Sequence, residues 1–119
     1  MDETAEQQSL LEQGRVAFNR GQFFEAHELW EDAWRTLAGG ERLAVQGLIQ
    51  IAAGLLHLQN GRRRPASGLL AKGIEKLSRG VLPAAPELLV DSLTRELSLM
   101  LKALASSAAF APDIDSLKL

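Results

Sequence analysis

The segment Leu43-Ala44-Val45-Gln46-Gly47-Leu48-Ile49-Gln50-Ile51-Ala52-Ala53-Gly54-Leu55-Leu56-His57-Leu58 is the longest strongly apolar stretch of the chain. It falls short of the roughly twenty residues that a bilayer span needs, and Gln46, Gln50 and His57 interrupt it. It therefore predicts a buried helix from about Arg42 to Gln59. Working outward, Asn60-Gly61 supplies left-handed backbone for a turn, Arg62-Arg63-Arg64 extends it, and Pro65 suits the first position of a fourth helix reaching Arg79. Upstream, Gly39-Gly40 ends a second helix over 22–38 whose stripe is Phe23, Ala26, Trp30, Ala33 and Leu37. Arg20-Gly21-Gln22 separates it from a first helix over 4–19, with Thr4 and Gln7 as a capping box and Leu10, Leu11, Gly14, Ala17 and Phe18 as its apolar side.

The remainder follows the same pattern. Pro83 and Pro86 bracket a loop, and a fifth helix over 86–107 carries Leu89, Leu93, Leu97, Met100, Leu101 and Leu104 inward. After Phe110, Ile114, Leu117 and Leu119 give the tail enough apolar surface to strap onto the bundle. Tyr is absent and alternating β-branched runs are missing, so the fold class is all-α: a single domain over 1–119. With 119 residues, 46% hydrophobic and 24% charged, one core is feasible, and the absence of cysteine excludes a disulfide scaffold. The acidic, polar start predicts cytoplasmic residence and no membrane association, and the net charge of -2 argues against a nucleic-acid partner. Charge is uneven: Met1 to Glu41 sums to -6 (3 basic, 9 acidic) and Arg42 to Gly80 to +6 (7 basic, 1 acidic). Such asymmetry can favour docking of one block on the other, or association between copies, but two solvated faces of opposite sign are the preferred reading.

A shift of 40 residues aligns Gly14 with Gly54, Phe18 with Leu58, Gly21 with Gly61, Ala26 with Ala66, Trp30 with Leu70, Ala33 with Gly73 and Leu37 with Leu77. Small falls on small and large on large, as expected of two helical hairpins whose axes approach at the small residues. The order of small and large positions resembles a tetratricopeptide unit, with the fifth helix as a cap.

Chemistry concentrates in Phe18 to Trp34, which holds one of two histidines and both tryptophans. On a helix, His27 and Glu31 lie one turn apart, and so do Trp30 and Trp34. His27, Glu31 and Trp34 occupy the shoulder of the core stripe that should meet helix three, where Gln46, Gln50 and His57 form a polar stripe. Antiparallel packing would bring His27 toward His57, with Glu28 or Glu31 and Gln50 between. Two imidazoles and one or two carboxylates suffice for zinc, manganese or iron. The competing reading is a buried His-Glu-Gln network that fixes helix register without a ligand. No phosphate loop, cysteine cluster, hydrolase triad or zinc-protease spacing is present. Arg62-Arg63-Arg64 with Lys72, Lys76 and Arg79 forms a basic patch without interleaved aromatics, a poor nucleic-acid groove.

The run Phe18-Asn19-x-Gly21-x-Phe23-Phe24-Glu25-Ala26-His27-Glu28-x-x-Glu31-x-x-Trp34, with Gln46-Gly47-Leu48-Ile49-Gln50, His57 and Asn60-Gly61, resembles domain-of-unknown-function family 309. These are small all-helical bacterial and archaeal proteins, and the resemblance covers about Gln13 to Leu77. It implies a bundle of about five helices, brings no established activity, and maps its motif onto Glu25, His27, Glu28, Glu31, Trp34, Gln50 and His57. Arg62-Arg63-Arg64-Pro65 departs from the Asn- and Gly-containing turn common in the family.

The resulting expectation is a binding or scaffold module of two tetratricopeptide-like hairpins plus a cap. Its site comprises His27, Glu31 and His57 as ligands of a divalent metal ion, and Glu25, Glu28, Trp34, Gln46 and Gln50 as ligand-binding residues. One alternative is a metal-dependent hydrolase with Glu28 as general base. Another is a homodimeric interaction protein that touches its partner through Trp34 and the surface of helix five.

Overall fold

The computed structural model describes residues 3–82, 87–106 and 112–119. Among them are five α-helices and no strand: α1 Glu3–Asn19, α2 Phe23–Trp34, α3 Gly39–Gln59, α4 Arg63–Arg79 and α5 Glu87–Ser106, followed by a 3-10 turn at Ile114–Ser116. Each helix packs on the one before it, so the molecule extends to 49 × 24 × 21 Å. The loop expected between Pro83 and Pro86, and Phe110 of the tail, lie outside the described residues.

In the first hairpin, Leu11, Gly14, Ala17 and Phe18 of α1 are buried, as are Phe23, Ala26, Trp30 and Ala33 of α2. A Cβ on Gly14 would stand 2.3 Å from Trp30 Nε1, so the missing side chain is what admits the indole. Trp30 Nε1 donates to the Leu11 carbonyl at 3.2 Å, which satisfies the buried ring. Phe18 completes the cluster, edge-on to Phe23 at 5.2 Å and 5.6 Å from Trp30.

The second hairpin repeats this construction. Gly54 receives Leu70, 3.0 Å from where a Cβ would be. Gly47 and Gly73 meet back to back, a Cβ on either falling 2.7 Å from the other's carbonyl oxygen. The two bends share one geometry: φ is +75° at Gly21 and +74° at Gly61. The Gln22 N–H donates to Ala17 O at 2.9 Å, and the Arg62 N–H to His57 O at 2.8 Å. Gly14 and Gly54, Gly21 and Gly61, and Trp30 and Leu70 thus occupy matching places, whereas Leu37 lies past the end of α2 and Leu77 within α4.

Several boundaries differ from expectation. Helix two stops at Trp34, because Thr36 N–H and Leu37 N–H turn to Ala33 O and Trp34 O, tightening the backbone. Gly39-Gly40 begins α3 and does not end α2, with Gly39 at φ +61°. Helix four starts at Arg63, which moves Pro65 deeper into the first turn, where its missing N–H still costs nothing. Thr4 lies inside α1, so the capping box does not form. The Gln7 amide instead donates to Thr36 O and Oγ1 at 3.0 and 2.8 Å, tying α1 to the end of α2. On α5, Leu93, Leu97, Met100 and Leu104 are buried, whereas Leu89 is 36% exposed because it sits at the rim of that stripe, on the Glu96 side.

The tail straps onto α1 as expected. Leu117 and Leu119 are buried. Asn19 grips the Leu119 backbone twice, its Nδ2 donating to the carbonyl at 2.9 Å and its Oδ1 accepting from the N–H at 2.7 Å. Lys118 Nζ donates to Asn19 O at 2.9 Å, a cation at the negative end of the α1 dipole.

Candidate metal-binding site on the second helix

Phe23, Ala26, Trp30 and Ala33 anchor one side of α2 in the core, and that fixes where its other residues stand. Successive residues advance by about 100° around a helix, so His27, Glu31 and Trp34 share the shoulder toward α3 while Glu25 falls on the opposite one. The two helices run antiparallel: Gln59 Nε2 donates to Gly21 O at 3.0 Å at one end, and the Arg42 guanidinium lies 3.9 Å over the Trp34 ring at the other.

His27, Glu28 and Glu31 come together. One nitrogen of His27 and one oxygen from each carboxylate lie within 4.8 Å of one another. His27 Nδ1 is 3.3 Å from Glu28 Oε1 and 3.6 Å from Glu31 Oε2. The imidazole is 28% exposed and the carboxylates 58% and 42%, so the group is open to water and to incoming ions. Asp32 on the same helix pairs with Arg35 at 3.2 Å and does not join it.

His57 is not part of this group. Counting from the two anchoring contacts, His27 faces the Ile49–Ala53 stretch of α3, and His57 lies about 6–12 Å further along the axis, toward the bend. Gln50 is within that stretch, but its Oε1 accepts from Lys76 Nζ of α4 at 2.9 Å. Gln46, Gln50 and His57 are all half-buried, and no described polar side chain is fully buried. The polar stripe of α3 therefore faces a partly solvated furrow and is not sealed in the core. Glu25 lines a separate groove of about 400 Å³ between α1 and α2, with Glu12, Gln13, Arg20 and Gln22.

Two partners were not legible beforehand. Arg42 covers Trp34, whose Nε1 is buried without an acceptor among the described residues, and Lys76 holds Gln50 across helices. Both contacts join residues far apart in sequence or across a loop, where helical spacing carries no information.

Fold and site together define a small all-helical protein with an imidazole and two carboxylates clustered on its second helix. Residues 11–69 match the family model described as Domain of unknown function (DUF309), which supports the resemblance read from the sequence. The matched segment runs from the middle of α1 into α4 and contains the His27 group, Gln50 and His57. No curated protein and no solved structure matches the chain.

Proposed function

We propose that this protein is a binding module, built from two tetratricopeptide-like hairpins and a cap, that holds a divalent cation at His27, Glu28 and Glu31. The observation that carries the reading is the convergence of three ligand atoms within 4.8 Å. Donors bound about 2.0–2.1 Å from a tetrahedral zinc stand roughly 3.3–3.4 Å apart. The His27 Nδ1 to carboxylate distances, 3.3 and 3.6 Å, are close to that spacing. Coordination uses the Nδ1 lone pair, so the metal-bound imidazole carries its proton on Nε2. Water completes the coordination, His57 being a turn or more away. Gln46, Gln50 and Trp34 stay outside this ligand set, Gln50 standing in the stretch of α3 that His27 faces and the Trp34 N–H being buried.

Binding is favoured over hydrolysis by the place of Glu28. A carboxylate taken up in coordination is not free to act as a general base. Isothermal titration of the purified protein with zinc, and separately with manganese, tests the reading. One ion per chain is expected, with His27→Ala and Glu31→Gln each weakening binding by at least about tenfold while helical content is unchanged. Absence of heat with both ions, or a His27→Ala protein that binds as well as the parent, rejects it.

A further inference from the structure

Helix α5 turns one stripe onto α4 and leaves Leu88 and Leu99 exposed on its other side. Leu88 is 79% exposed and Leu99 63%, and three helical turns put them in line. Two leucines of that exposure on one side of a helix leave apolar surface that a partner can bury. Between them stand Ser92, half-buried, and the exposed Asp91 and Arg95. Asp91 precedes Arg95 by four residues, the order that favours a pair along a helix. Yet neither makes an ion pair among the described residues.

We propose that this side is a homodimer contact, α5 of one copy lying antiparallel on α5 of a second copy about a two-fold axis. A two-fold contact must be self-complementary. The register that sets Leu88 on Leu99 of the second copy also sets Leu99 on its Leu88, with the axis near Leu93 and Thr94. Arg95 then comes beside Asp91 of the second copy. A two-fold perpendicular to both helices maps each flank onto itself, so these two residues, which share a flank of α5, meet across it. The contact gains two leucine pairs and two ion pairs from one operation, and both charged residues, which make no ion pair among the described residues, obtain one. None of these residues belongs to the His27 group, so the two readings stand or fall separately.

Sedimentation across a range of concentrations tests the contact. The parent chain is expected to reach twice its 12.9 kDa mass, and Leu99→Glu, at an exposed position, to sediment as a monomer with unchanged helical content. Arg95→Asp and Asp91→Arg should each weaken association by about tenfold or more. The double variant should regain it, and an equal mixture of the two single variants should form heterodimers. A parent that stays monomeric up to about 100 µM overturns the proposal and leaves that side to a different protein. So does a dimer indifferent to Leu99→Glu, or a double variant no tighter than the single ones.

Discussion

Trp30 occupies the space that Gly14 leaves, and the fit is tight enough to predict the cost of one methyl group. Gly14→Ala puts a Cβ 2.3 Å from Trp30 Nε1 and displaces the indole from the Leu11 carbonyl. Overpacking of this kind costs about 1–3 kcal/mol, and the buried indole N–H left without its acceptor adds to it, so urea unfolding should show a loss near the top of that range. At the candidate site, saturating zinc should protect the parent but not His27→Ala. A concentration one hundred times the dissociation constant raises unfolding stability by about 2.7 kcal/mol, read as a shifted urea midpoint. Helical spacing made His27 and Glu31 legible as neighbours, because i and i+4 share a face whatever the tertiary fold. The position of His57 was not legible, since it depends on how far α3 slides along α2, and that is fixed by Gln59 on Gly21 and Arg42 on Trp34.

Helices α3 and α4 approach at glycine, and the same residue type has opposite consequences at two places on α4. Gly73→Ala drives a Cβ to 2.7 Å from both Gly47 O and Ile51 Cγ1, pushing the helices apart at a cost of about 1–3 kcal/mol. Gly68 has nothing within 4 Å of its Cβ position. There Gly68→Ala should stabilise by about 0.5–1 kcal/mol through helix propensity alone. Denaturation of the two variants side by side checks both signs. The existence and type of all five helices were legible because apolar residues recur at helical spacing along each. Ends were less so. Gly39-Gly40 has the composition of a stop signal, yet backbone contacts after Trp34 ended α2 earlier and left those glycines to open α3. A local signal of that kind cannot tell which of two adjacent helices it serves.

Across the whole molecule the tail is the element that closes the first hairpin. Removing 112–119 uncovers the surface beneath Leu117 and Leu119, each worth about 1.5–3 kcal/mol of burial, so a loss of about 3–6 kcal/mol is expected in urea unfolding. Asn19→Ala, which removes only the grip on the Leu119 backbone, should cost less and show itself first as faster amide exchange at Leu119. The strap was legible from the apolar residues of the tail, but its attachment point was not, because Asn19 is nearly the whole chain away in sequence. The block charges of -6 and +6 were legible as well, as two solvated faces of opposite sign. Glu12–Arg15, Asp32–Arg35 and Glu75–Arg79 each pair over about one turn, Arg35 just past the end of α2. Stability should therefore change by less than about 1 kcal/mol between low and 1 M salt, since exposed pairs of this kind contribute little. The equivalence of the bends at Gly21 and Gly61 reaches further than the present molecule. A chain that reverses direction twice by one rule can be lengthened by the same rule, so an ancestor of half this length, or a designed descendant with a third period spliced in, needs no new joint.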